Sequence, residues 1–154
     1  MSVAMPCEAG SYCSGEGRST VNGPCLAGYY CPASSTVNNP YACGAGTYCP
    51  TGSSAPTPCP AASYCVGALG ATSGTCQEGH YCGPSSSAAT QNACPTGSYC
   101  TAGLSAPIAC PLGRVCADLR MTNWALCTAG KYCSSTGLAA VSGSWCVCAS
   151  CHEQ

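Results

Sequence analysis

The heptapeptide Cys94-Pro95-Thr96-Gly97-Ser98-Tyr99-Cys100 holds two cysteines five residues apart, a glycine at its fourth place and a tyrosine just before the second cysteine. The same frame opens at Cys7 (CEAGSYC), Cys25 (CLAGYYC), Cys43 (CGAGTYC), Cys59 (CPAASYC), Cys76 (CQEGHYC), Cys110 (CPLGRVC) and Cys127 (CTAGKYC), which makes eight copies from Cys7 to Cys133. The gap inside the motif never changes. The connectors between motifs vary from 9 to 12 residues, counting the one that runs to Cys146, so the first cysteines fall 16 to 18 residues apart. A fixed motif joined by variable connectors describes a tandem repeat whose rigid unit is the motif and whose connectors are surface loops.

Composition says how such a unit must be held together. The 154 residues include 19 Cys, 19 Gly and 12 Pro but no Phe, and Ala and Cys inflate the apolar fraction of 46%. The large aliphatic side chains that fill an ordinary core are scarce, so hydrophobic burial alone cannot offset the ordering entropy of so many loop residues. Cysteine at this density is the mark of a disulfide scaffold formed in an oxidising compartment. Four basic and five acidic residues give a net charge of -1, which leaves no basic stripe for a nucleic acid. No run of 18 apolar residues is present to cross a membrane. Met1 to Pro6 is too short for the apolar region of a signal peptide, so the chain is expected to be a segment of a longer precursor.

Glycine or proline interrupts every stretch of helical length, and no helix is expected. The residues after the first cysteine read as a tight turn, with Pro60, Pro95 and Pro111 at the second place of their motifs and glycine supplying a positive φ. The x-Tyr-Cys that follows reads as a short extended piece. The expected fold class is therefore small disulfide-rich repeats: an elongated rod of eight irregular β-hairpin-like units with little regular secondary structure and no helix core. Residues 1–6 are read as a leader or linker, 7–133 as the eight repeats, and 134–154 as a cysteine-rich cap or the start of another module. Ala62 replaces the glycine in the fourth unit and Val115 replaces the tyrosine in the seventh, whose connector carries Asp118, Arg120 and Trp124. These departures mark where a specific contact surface is expected.

Disulfides outweigh metal as the reading of the cysteines. The repeated gap is five residues rather than the two of zinc ribbons, and His80 and His152 are the only histidines. A hairpin built on a three-residue turn would set the first cysteine across from the residue two before the second, which disfavours a bridge within one motif. Expected pairs join the second cysteine of one motif to the first of the next. These are Cys13 with Cys25, Cys31 with Cys43, Cys49 with Cys59, Cys65 with Cys76, Cys82 with Cys94, Cys100 with Cys110 and Cys116 with Cys127. A bridge that skips a unit fits the period equally well. Each loop of about 12 residues would contribute ~3 kcal/mol in the chain-entropy model. The odd cysteine total leaves one without an internal partner, and Cys146, Cys148 and Cys151 break the rule, as an interchain bridge or a cap.

Tyrosine precedes the second cysteine at Tyr12, Tyr30, Tyr48, Tyr64, Tyr81, Tyr99 and Tyr132. A structural ring ladder is expected, each ring lying on a disulfide and on the next unit's turn; a ring array for sugar stacking or cross-linking is the competing reading. No nucleophile, base and acid assemble into a catalytic set, so an enzyme is not expected, nor a cofactor. Thirty-three Ser and Thr, mostly in connectors, invite O-linked glycans, whereas no Asn-x-Ser/Thr acceptor occurs.

The string CLAGYYCPASSTVNNPYACGAGTYCPTGSSAPTPCPAASYC resembles the ephrin-receptor-like cysteine-rich repeats of protist and algal surface proteins, and more distantly the tumour-necrosis-factor-receptor module. The resemblance covers Cys7 to Cys133 and implies an elongated extracellular rod, a part of a filament or surface coat that meets its own neighbouring copies. A receptor or adhesin ectodomain binding a protein or glycan is the alternative it leaves open.

Overall fold

A computed structural model describes residues 7–15 and 20–144. Eight two-residue antiparallel strand pairs follow one another, and no helix occurs among the described residues. The hairpins pair Ser11–Tyr12 with Gly23–Pro24, Tyr29–Tyr30 with Tyr41–Ala42, Thr47–Tyr48 with Thr57–Pro58 and Ser63–Tyr64 with Gly74–Thr75. His80–Tyr81 with Asn92–Ala93, Ser98–Tyr99 with Ile108–Ala109, Arg114–Val115 with Ala125–Leu126 and Lys131–Tyr132 with Gly143–Ser144 complete the series. The expected small disulfide-rich repeats with little regular structure are what the chain adopts.

The hairpin is not where the motif placed it. The x-Tyr strand pairs across the connector with the two residues before the next return point, so the connector is the hairpin loop. The turn inside the motif is a separate feature. In it the fifth-place amide returns to the second-place carbonyl, as Ser11 N to Glu8 O at 3.2 Å, and the fourth residue takes a positive φ, as Gly10 at 89°. That geometry is a type II turn, which asks for glycine at its third position. Ala62 keeps the same conformation at φ 72°, so the substitution leaves the turn intact at the cost of a strained alanine.

The disulfide pairing differs from the expectation. Bridges close each motif on itself: Cys7–Cys13, Cys25–Cys31, Cys43–Cys49, Cys59–Cys65, Cys76–Cys82, Cys94–Cys100, Cys110–Cys116 and Cys127–Cys133. The turn curls the chain until the two Cα atoms stand 5.7–6.2 Å apart, inside bridging range. The register explains why Cys13 does not reach Cys25. With Ser11 opposite Pro24 and Tyr12 opposite Gly23, Cys25 faces Gly10 and Cys13 lies three residues further along the ladder. At ~3.3 Å per residue that is about 10 Å, too far for a disulfide. The same register rules out the other between-motif pairs.

The bridges form the core. Cys25, Cys31, Cys49, Cys59, Cys65, Cys82, Cys94, Cys100, Cys110 and Cys116 are fully buried, and the buried apolar residues of the described chain are cysteines apart from Val115. Stacking is fixed by backbone hydrogen bonds that recur at each junction. At the first, Gly10 N donates to Cys31 O (2.8 Å), Cys13 N to Ser35 O (3.0 Å), and Ser34 N back to Cys7 O (2.8 Å). The equivalents at the last junction are Gly113 N to Cys133 O (3.3 Å), Cys116 N to Leu138 O (2.9 Å) and Gly137 N to Cys110 O (2.7 Å). Together with the bond from each first cysteine's amide to the fourth-place carbonyl of the unit before, as Cys25 N to Gly10 O at 2.9 Å, these pair the backbone N–H and C=O of the buried cysteines from Cys25 to Cys116.

In the second to eighth units a second turn follows the second cysteine, again with a left-handed residue: Ser34, Gly52, Ala68, Ser85, Gly103, Arg120 and Gly137. It reaches beyond the adjacent unit. A methyl built on Gly10 would fall on the carbonyl oxygen of Gly52, and one on Gly28 on that of Ala68. Each unit therefore touches the next and the next but one, which makes the stack a quasi-linear rod.

Candidate functional site

The tyrosines bring their rings against their own hairpins. Methyls built on Gly23 and Gly74 would lie 3.4 Å and 3.2 Å from ring carbons of Tyr12 and Tyr64, and Gly143 is covered likewise by Tyr132. A ring laid over a cross-strand glycine restores the packing that glycine lacks. Tyr30 has no glycine opposite; its partner is Tyr41, and the two rings stack with centroids 5.4 Å apart and planes inclined by 26°. Tyr48, Tyr81 and Tyr99 face Thr57, Asn92 and Ile108. The rings of Tyr12, Tyr30, Tyr64 and Tyr132 thus lie against their own return strands. The residue opposite the tyrosine, Gly23, Tyr41, Thr57, Gly74, Asn92, Ile108 or Gly143, is the position at which one unit's surface differs from another's. Sequence reading missed it because only the register shows which connector residue faces the ring.

Two surfaces stand out against the uniform column. One is the seventh hairpin, where the Arg114 guanidinium lies 4.0 Å from the Trp124 ring centroid, a cation–π contact. Val115 is buried opposite Ala125, so a smaller residue meets a smaller one where other units set a ring. The left-handed turn residue is Arg120 at φ 62°, four places after the second cysteine, where the second to sixth units have it three places after. Leu112, Leu119 and Leu126 are exposed in the same unit. The departure seen in the sequence is thus an altered surface on an unaltered rung.

The other is a hollow of about 220 Å³ beside the second hairpin, lined by Pro32, Ser34, Ser35, Thr36, Pro40 and Tyr41. Tyr41 is 54% exposed there. Ser35 is buried and its Oγ donates to Pro32 O at 2.6 Å, closing the floor.

Part of the hydroxyl content is structural. Thr47, Ser53 and Ser86 donate from Oγ to the carbonyls of Gly44, Pro50 and Gly83 at 2.7–2.8 Å, each bracing a turn. His80 is held near Glu78 O at 3.3 Å. Among the described residues no group of three His, Cys, Asp or Glu side chains could hold a metal ion. Cys146, Cys148, Cys151 and His152 lie outside the described residues. No family model matches this chain, and comparison with curated proteins finds no match. The disulfide-rich repeats themselves point to an extracellular or secreted protein. No helix among the described residues is long and apolar enough to cross a membrane.

Proposed function

We propose that this chain is a structural rod of an extracellular filament, fibre or coat, and that it associates with neighbouring copies of itself. The observation that carries this reading is the identity of the seven junctions: the same three backbone hydrogen bonds and the same within-motif bridge recur from unit to unit. A machine for chemistry specialises one place in its fold, whereas a spacer repeats one solution along its length. The likeness to ephrin-receptor-like repeats supports the same setting, and hydroxyl-rich connectors suit O-linked glycans. Negative-stain images of the native material should show fibrils with an axial repeat. Isolated short rods would instead favour a receptor or adhesin ectodomain, with the Arg114 and Trp124 surface of the seventh hairpin as its contact site. Intact mass should exceed the oxidised polypeptide by hexose or pentose increments; a mass matching the bare chain removes the glycan part of the proposal.

A further inference from the structure

The hollow at the second hairpin has the build of a ligand site, and it does not depend on whether the rod polymerises. Its volume of about 220 Å³ has room for about seven waters at ~30 Å³ each. It is smaller than the roughly 300–1,000 Å³ pockets that enclose drug-sized molecules. Tyr41 supplies a flat apolar wall, and Tyr30, half-buried behind it, fixes the orientation of that wall. A ring immobilised in advance loses little entropy when a ligand stacks on it. Other parts of the lining come from hydroxyls and proline rings. Ser34 and Thr36 are exposed, and their hydroxyls bond to no other group among the described residues. Ser35 Oγ donates to Pro32 O and retains lone pairs that can accept. Among the described residues no charged side chain lines the hollow.

We propose that this hollow binds one neutral sugar ring of a glycan, the C–H face of the sugar stacked on Tyr41 and its hydroxyl rim bonded to Ser34, Ser35 and Thr36. An apolar face edged by hydroxyl donors and acceptors is the chemistry of a neutral pyranose or furanose, and it matches one ring beside three hydroxyls. An acidic sugar or a phosphate would find no counter-charge here. A proline-rich peptide would ask for a row of aromatic slots, and a single exposed ring offers one. The fifth hairpin serves as an internal control. Ser85 repeats the left-handed turn at φ 59° and Ser86 repeats the buried hydroxyl, donating to Gly83 O at 2.8 Å. Asn92, in the place of Tyr41, turns its amide onto Tyr81 O at 3.2 Å and presents no ring.

The test is saturation-transfer NMR on the oxidised protein, with the methyl glycosides of glucose, galactose, mannose and arabinose as probes at millimolar concentration and a proline-rich peptide as a separate arm. At least one glycoside should receive saturation. Tyr41→Ala should weaken its binding by about tenfold, a loss of one stacking contact. Tyr41→Phe should bind as the native chain does. Tyr41 is exposed and lies off the disulfide column, so the substitution leaves the rungs in place, and disulfide mapping of the variant checks this. Silence from all four glycosides overturns the proposal, as does glycoside binding that survives Tyr41→Ala, or binding of the peptide alone.

Discussion

The second and fifth hairpins share one backbone and differ at one face. Both span an 11-residue connector, both carry a left-handed serine three residues after the second cysteine (Ser34 at φ 67°, Ser85 at φ 59°), and both bury the next serine. In each, the amide of the residue after the first cysteine donates the same extra bond to the connector, Leu26 N to Asn38 O at 2.7 Å and Gln77 N to Ala89 O at 2.9 Å. Opposite the tyrosine, however, one unit sets Tyr41 and the other Asn92. The first choice builds a stacked pair and a hollow, and the second folds a polar side chain back on the strand. Scaffold and surface are therefore encoded at different positions, so the surface of a unit can change while its rung stays the same.

That equivalence can be broken most forcefully at the rungs. Replacing Cys25 and Cys31 with Ala, or Cys76 and Cys82, should each cost about 3 kcal/mol, about 2 from the entropy of a short closed loop and the rest from the lost packing of fully buried sulfurs. Denaturant unfolding under non-reducing conditions should give the two variants matching midpoints. Clearly unequal midpoints would mean that the two hairpins do not share one scaffold. Next in size are the turn glycines. A methyl on Gly28 would fall on the Ala68 carbonyl oxygen, and one on Gly79 would stand 2.6 Å from that of Arg120, both at positive φ. Gly28→Ala and Gly79→Ala should each cost about 2 kcal/mol or more. Gly113→Ala, with nothing within 4 Å, should cost about 1 kcal/mol, the conformational part alone. The same unfolding series reads the difference, and equal losses at all three sites would deny the contact between units two apart.

Smaller effects separate the two faces. Tyr41→Ala should lose about 1 kcal/mol of stacking on Tyr30, while Asn92→Ala loses one half-buried hydrogen bond worth about 0.5 kcal/mol. A two-mutant cycle of Tyr30→Leu with Tyr41→Ala isolates the ring pair, and a coupling near zero would deny it a stabilising role. Smallest, and of opposite sign, are Ser34→Gly and Ser85→Gly. Each relieves a left-handed serine at the expense of added chain entropy, for a net gain of about 0.5 kcal/mol. Thermal midpoints that fall instead would show the serine hydroxyls to be worth more than the strain.

Much of the rod was legible in the residues. The Cys-x-x-Gly-x-Tyr-Cys frame announced the turn, the extended x-Tyr piece and the period, because each depends on local backbone preference. The pairing was not legible. Whether Cys13 meets Cys7 or Cys25 depends on how far the motif turn curls and on which connector residues pair with Ser11 and Tyr12, and the spacing of cysteines permits either. Ala62 and Val115 both break the motif in the sequence, and the seventh connector sets Val115's unit further apart; Ala62 keeps the common turn, whereas Val115 belongs to a hairpin with a changed surface.

The hollow at Tyr41 was hidden for the same reason as the pairing. In the sequence Tyr41 is one more connector residue, two positions before Cys43 and with no motif mark of its own; its register opposite Tyr30 makes it a wall.

The sequence by itself determined the unit, its eightfold repetition and its dependence on cysteine, because turn chemistry, period and the lack of large aliphatic residues are properties of the chain taken locally. Tertiary structure alone decided which cysteines join, which units touch and which connector residue faces each ring. Those depend on strand register and on the approach of carbonyls from two units along the chain, as between Gly10 and Gly52, and no local preference specifies them.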